Sequence, residues 1–284
     1  MEDGDAIIST IRELDRDLVV VDVGCRWGFA DAFVKDLDAF HLYGFDPDKE
    51  ECDRLACRYD SNRITLVPFG LADREGKSTL HLTKEPACSS LYEPDRQLTE
   101  NYPALDCARK VNEIEIELTT LDLWAERSGV EYIDHIKIDT QGSELLVLNG
   151  ASKALEHVRT IELEVEFNPI YKEQPLFADV DIFLRKQGFV LWKLTNLVHY
   201  GCDGENTINM GEDRLHHDHR SQAFNKFGGQ LFWADAHYVR ADIAQFVFTS
   251  HEQLKRDIAL LICLNHLDLV GRLRQVSNSL NLPD

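Results

Sequence analysis

The chain has no basic face, no membrane-length apolar run, no C-x-x-C pair, no internal repeat and no G-x-G-x-x-G fingerprint. Each absence removes a class of function. Basic residues number 30 against 50 acidic ones, and the acids are spread along the chain to a net charge of −20. Nucleic-acid binding requires a cationic footprint that releases counterions, so no nucleic-acid partner is expected. The same field disfavours anionic membranes, and the lack of a long apolar segment predicts no membrane span. The opening MEDGDAIIST lacks a basic start and a long apolar stretch, so no secretory leader is expected. Seven cysteines (25, 52, 57, 88, 107, 202 and 263) are an odd set without metal-type spacing. They predict reduced, mostly structural thiols and a cytoplasmic protein.

What is present is a core-forming composition, 44% hydrophobic and 28% charged over 284 residues. Apolar runs alternate with amphipathic stretches, the βαβ pattern of a parallel sheet. Strands are predicted near 18–23, 40–45, 64–69, 133–138, 158–167, 189–194 and 231–239. Helices are predicted near 5–15, 28–37, 48–58, 120–128, 143–155 and 178–187. GKSTLHL (76–82) and VNEIEIEL (111–118) read as shorter, half-exposed strands around a polar loop. Residues 201–230 read as a long loop, and 241–277 as helices, although Asn265 interrupts the apolar stripe. Two units are expected, 1–240 and a C-terminal helical extension, 241–284, packed on the sheet or on a second subunit of a homo-oligomer.

The densest chemical signal is VVVDVGCRWGF followed by HLYGFDPD. An apolar strand breaks at Asp22, continues through Gly24 to Gly28, and a second strand closes on Asp46, 24 positions after Asp22. A glycine turn after a buried strand lets a ligand approach bare backbone. An acid ending the next strand is where such sheets hold ribose hydroxyls. Asp22 occupies the first glycine position of a dinucleotide fingerprint, and a carboxylate there repels a pyrophosphate. It favours a ligand with a positive amino-acid end, and S-adenosylmethionine carries both an ammonium and a sulfonium. An NAD-dependent oxidoreductase or epimerase is the alternative enzyme class, and a non-catalytic cofactor-binding regulatory protein a third reading.

The second constellation is HIKIDTQGSELLVLNGA (135–151), a strand ending in Asp139, a Gln141-Gly142 turn and an amphipathic helix. In an open sheet Asp139 faces the same crevice as Gly24. Glu144 reads equally as an acid stabilising a helix N-terminus and as a site residue. In IELEVEF (161–167), Glu162, Glu164 and Glu166 share one strand face. For Glu162 and Glu166 an edge strand with one wet face is the plain reading. Cys88-Ser89-Ser90 is either a self-bonded turn or a segment closing over ligand. His216-His217-Asp218-His219 invites a metal reading, but four adjacent residues cannot all converge on one ion from an extended loop, so no metal is expected.

D-x-G-x-x-x-G, GFDP, TTLDLW (119–124), KIDTQGSELLVLNGA and EVEFNPIYKEQPLF (164–177) occur in an order that resembles the FkbM-type S-adenosylmethionine-dependent methyltransferases. The resemblance runs from about Val19 to Leu194 and resumes at GGQLFWADAHYV (228–239). It implies an α/β fold with a class I methyltransferase Rossmann-like sheet of about seven strands, the last antiparallel, with helices on both faces. It also implies methyl transfer to a hydroxyl oxygen of a small metabolite or glycan. Asp22 then faces the methionine ammonium through water, Gly24 and Gly28 form the turn, and Asp46 takes the ribose hydroxyls. Leu71 and Ala72 line the adenine, and Asp73 meets its exocyclic amine. Asp139 is the first candidate for base or acceptor orienter, and Glu164, where the family motif has its acid, the second. Two departures stand out: relatives most often have Glu at Gln141 and Ala-Asn at Cys25-Arg26. If that Glu is a base in relatives, Gln141 cannot be one here.

Overall fold

The computed structural model describes residues 14–201, 208–210 and 229–279. The strands are β1 (Leu18–Val23), β2 (Phe40–Phe45), β3 (Ile64–Val67), β4 (Gly70–Leu71), β5 (Gly76–Thr83), β6 (Lys110–Thr119), β7 (His135–Ile138), β8 (Thr160–Glu166), β9 (Phe189–Tyr200), β10 (Ile208–Met210) and β11 (Gln230–Arg240). The α-helices are α1 (Asp31–Val34), α2 (Lys49–Tyr59), α3 (Arg96–Asn101), α4 (Leu121–Ser128), α5 (Glu144–Asn149), α6 (Phe177–Lys186), α7 (Ala241–Gln245), α8 (His251–Cys263) and α9 (Leu267–Ser279).

The main sheet runs β10-β9-β11-β8-β7-β1-β2-β3. β1, β2, β3, β7 and β8 pair in parallel, while β11 pairs antiparallel with both β8 and β9. Seven strands in this order form the expected class I sheet, and β10 adds a short antiparallel edge on β9. From β1 the chain winds outward through β2 and β3, then returns to lay β7 on the other flank of β1. That reversal is a topological switch point, and the carboxyl ends of β1 and β7 open a crevice there. A separate sheet, β4-β6-β5, stands beside the crevice.

Both faces of the main sheet are covered, which explains the near-continuous apolar runs of its inner strands. On one face Val21, Ile136, Ile138 and Leu163 pack against Leu121, Val147, Leu148, Val180 and Leu184 of α4, α5 and α6. On the other, Leu18, Val20, Phe40 and Leu42 meet Phe29, Phe33 and the α8 residues Ala259 and Leu260. Leu254, Ile258 and Leu261 of α8, with Leu269, Val270 and Leu273 of α9, close on Val239 and Ile243. Asn265, which interrupts the predicted stripe, adopts a left-handed φ of 55° in the turn between α8 and α9. A short polar side chain tolerates that conformation, so the interruption marks a helix boundary.

Three expectations are corrected. Only α1 and a short 3-10 turn (Leu37–Ala39) form in 28–37, where Ala30 offers no side-chain cap. The helix expected over 143–155 stops at Asn149, and at Gly150 the backbone passes the Ala72 carbonyl so closely that a Cβ would lie 2.0 Å from its oxygen. Past that break the Asp122 carboxylate caps the amides of Lys153 and Ala154, each at 2.9 Å. β8 is an inner strand between β7 and β11, not an edge; Glu162 and Glu164 are half-buried and Glu166 is buried. The helix expected near 5–15 falls mostly outside the described residues, as do most of 201–230 and the histidine cluster at 216–219.

Helix α8 is tied to the sheet by charge as well as by apolar contact. Arg159 Nε and Nη2 donate to both oxygens of the fully buried Asp257 at 2.8 and 2.9 Å, and Nη2 also reaches Asp242 at 2.9 Å. Removing one member of a buried pair strands the other charge. Asp257→Ala is expected to cost about 3–5 kcal/mol, measured by urea denaturation; a loss under about 1 kcal/mol, the size of a surface pair, would contradict this placement.

Candidate active site

A cavity of about 850 Å³ opens at the switch point. The glycine turn builds its floor. Gly24 and Cys25 donate their amides to the Phe45 carbonyl at 2.9 and 3.1 Å, folding the end of β1 over the end of β2. Asp139 N donates to the Val23 carbonyl at 2.9 Å, which locks β7 to the same point. Gly24 has a φ of 83°, and a Cβ there would lie 1.9 Å from the Asp139 carbonyl oxygen. Only glycine fits.

Asp46 lies on the cavity wall and is 6% exposed. Its Oδ1 accepts the Asp48 amide at 2.8 Å, and no hydrogen bond among the described residues reaches Oδ2. Burial pushes its pKa up to about 6, against a lowering by the Asp48 amide. Leu71 is also on the wall, with Phe69 beside it. Gly28, Ala72 and Asp73 are not. Gly28 donates to the Cys25 carbonyl at 2.7 Å to close the turn, Ala72 is buried, and Asp73 pairs with Arg74 at 3.0 Å. Asp22 is buried behind the turn, off the wall, where it meets Lys137 Nζ at 3.5 Å.

Lys137 is the feature that sequence reasoning missed. In register across the sheet, Asp22 of β1 pairs with Lys137 of β7, Lys137 with Glu162 of β8, and Glu162 with His237 of β11. Asp139, two residues on and on the same face, forms an ion pair with Lys137 Nζ at 3.6 Å. Burial pulls the ammonium toward neutrality, but Asp22, Asp139 and Glu162 offset this and hold its pKa above the ordinary lysine value. The signal was legible: Ile136 and Ile138 are core residues, so period-two alternation puts Lys137 and Asp139 together.

Gln141 joins the two catalytic candidates. Its Nε2 donates to Asp139 Oδ1 at 2.9 Å and to Glu164 Oε2. Tyr171 Oη lies 3.2 Å from Gln141 Oε1 and donates to the Cys88 carbonyl at 2.7 Å. Gln141 sits at a left-handed φ of 55°, and Ser90 Oγ holds its carbonyl at 2.7 Å. A glutamate here would add a third negative charge; the amide instead donates to both carboxylates. Glu164 faces the cavity yet is enclosed by protein, and burial with Asp139 and Glu166 nearby lifts its pKa well above the ordinary value. Burial likewise raises Glu162 and Glu144, each to about 7. Glu144 Oε1 accepts the amides of Thr140 and Gly142 at 2.9 and 3.1 Å, so it locks the turn and stays off the cavity wall. Tyr171, Tyr200 and Trp233 line the end of the cavity near Glu164, and Trp233 Nε1 donates to Tyr200 Oη at 2.9 Å. Among the described residues no cluster of His, Cys, Asp or Glu is arranged to hold a metal.

The profile of the methyltransferase FkbM domain matches residues 22–191, more than half of the chain. The chain belongs to the FkbM methyltransferase family. This FkbM methyltransferase is 31% identical over 178 residues to the 2-O-methyltransferase NoeI of Sinorhizobium fredii, covering 58% of this chain and 71% of that protein. It is 24% identical over 201 residues to the hexuronic acid methyltransferase AglP of Haloferax volcanii, covering 68% and 77%. Among solved structures, an rRNA methylase from Streptococcus thermophilus overlaps with a TM-score of 0.38 at 12% identity, covering 84% of this chain and 96% of that one. No helix among the described residues is long and apolar enough to cross a membrane.

Proposed function

We propose that this methyltransferase uses S-adenosylmethionine to methylate a hydroxyl oxygen of a sugar or small hydroxylated acceptor. The observation that carries the reading is the placement of Asp46 and Asp139 on one cavity wall, on either side of the Gly24 turn. The residues fit the cofactor. Asp46 has an unmatched oxygen for ribose hydroxyls, and Phe69 and Leu71 offer apolar surface beside it for adenine. Asp22 supplies negative charge behind the turn toward an ammonium. The nearby cations are already engaged, Arg26 by Asp48 at 3.3 Å and Lys49 by Asp53 at 2.7 Å, which favours a positively charged ligand over a pyrophosphate. One relative named as a 2-O-methyltransferase supports a hydroxyl oxygen, and another named as a hexuronic acid methyltransferase supports a sugar-type acceptor.

When bound, the cofactor supplies a methyl carbon already activated by its sulfonium. The protein's part is alignment and proton handling. Tyr200 and Trp233 flank the space beside Glu164 and seat the acceptor ring. Asp139 receives the hydroxyl proton as the oxygen–carbon bond forms. Gln141 keeps that carboxylate aimed, and Lys137 Nζ lies 3.6 Å from it. Glu164, which holds its proton further up the pH scale, donates to a neighbouring acceptor oxygen.

Calorimetry with S-adenosylhomocysteine and with NAD tests the cofactor: binding of the former alone is expected, and binding of NAD alone would overturn the reading. The homocysteine product should bind the ionised form of Asp46. Affinity is therefore full above pH 7, falls as pH drops through about 6, and binding below that point releases a proton. Asp46→Asn should weaken binding by about 1.5–3 kcal/mol per lost charged hydrogen bond and flatten this part of the pH profile. An unchanged profile would remove Asp46 from the ribose site.

Asp139→Asn keeps shape and removes charge. Turnover is expected to fall about a hundredfold or more while S-adenosylhomocysteine affinity changes little. Equal losses in both would make Asp139 a cofactor ligand.

A further inference from the structure

Two segments of the cavity wall each present a thiol, and nothing in methyl transfer uses either one. Cys88 ends the 3-10 turn Pro86–Cys88, and Cys107 lies in the 3-10 turn Pro103–Ala108. The backbones of the two segments are already paired. Lys84 N donates to the Arg109 carbonyl and Glu85 N to the Cys107 carbonyl, both at 2.9 Å, and Cys88 N folds back to the Glu85 carbonyl at 2.9 Å. Both cysteines pack on the same apolar cluster, around Leu105, Tyr171 and Phe232, and both line the cavity.

We propose that Cys88 and Cys107 form a reactive dithiol pair that an oxidant such as hydrogen peroxide converts to an intramolecular disulfide in the acceptor-end wall. The assignment goes beyond the methyltransferase reading and does not depend on which acceptor is used.

The electrostatics agree with the geometry. The Cys88 thiol donates to the Cys107 sulfur, which lowers Cys107 to about 7 and, together with burial, raises Cys88. Cys107 is the more acidic of the two, and when protonated its thiol donates to the Ala104 carbonyl at 3.4 Å. The Cys107 thiolate attacks one peroxide oxygen, the O–O bond breaks, and with one proton the leaving hydroxide becomes water, giving a sulfenic acid at Cys107. The Cys88 sulfur then attacks the sulfenic sulfur, the S–O bond breaks, and the Cys88 proton leaves with the hydroxyl as a second water. Two thiols and one peroxide give one disulfide and two waters. The cross-link would fix the Cys88 peptide, whose carbonyl accepts Tyr171, which in turn reaches Gln141.

The other thiols supply the internal contrast. Cys25 and Cys52 are buried, and burial raises both. Cys57 is exposed.

The test uses the full chain. Iodoacetamide at pH 7 should alkylate Cys107 about tenfold faster than Cys57, with a rate that rises through about pH 7. In Cys88→Ser that midpoint should move up toward an ordinary thiol. Limited peroxide, followed by digestion without reductant, should yield one Cys88–Cys107 linked peptide from the wild type, reversed by dithiothreitol and absent from Cys88→Ser and Cys107→Ser. Alkylation of Cys107 no faster than Cys57, or peroxide products at other cysteines without the Cys88–Cys107 peptide, would overturn the assignment. The wild-type map stands alone if either variant fails to fold.

Discussion

The crevice depends on one half-buried cation, Lys137. Carboxylates crowd the end of this sheet: Asp22 behind the glycine turn, Asp139 after β7, and Glu162, Glu164 and Glu166 on β8. Burial raises the pKa of Asp22, Glu162, Glu164 and Glu166, because a desolvated charge is penalised. Lys137 lies between Asp22 and Asp139, with Glu162 beside it in register. It lets at least part of this cluster stay ionised where a sulfonium ligand would benefit. Gln141 then settles what Lys137 does not reach, by giving both hydrogens of one amide to Asp139 and Glu164.

The architecture was largely legible in the sequence, because strand burial leaves a pattern. Runs buried on both faces read as apolar blocks, and the order of motifs from Asp22 to Phe177 carried the family and its sheet. Helix ends were less legible. After Asn149 the chain passes the Ala72 carbonyl at Gly150, closer than any Cβ would allow, a tertiary approach that local periodicity does not contain. The glutamate face of β8 misled for a similar reason. Alternating Glu and Ile resembles a half-wet edge strand, yet here the polar face looks into a functional crevice and a row of compensating charges.

The candidate site was legible residue by residue only where a residue ended a strand. Asp46 and Asp139 could be placed because they follow apolar runs at the crevice edge, and both line the cavity. Ala72 and Asp73 follow the two-residue strand β4 and do not line the cavity. Tyr171, Tyr200 and Trp233 come from three separate elements, β8–α6, β9 and β11, and only the assembled sheet brings them to one wall. Gln141 reads in sequence as the loss of an acid. In the folded protein it is a donor bridging two acids, a role that a glutamate, with at most one hydrogen to donate, could not fill.

All of this converges on where a methyl group lands. The most direct measurement supplies S-adenosylmethionine carrying a carbon-13 methyl with neutral glycosides and uronates, and reads the product by carbon NMR. The account predicts a labelled methyl ether on a ring hydroxyl. A labelled methyl ester on a carboxylate, a labelled N-methyl group, or no transfer from protein that binds S-adenosylhomocysteine would contradict it.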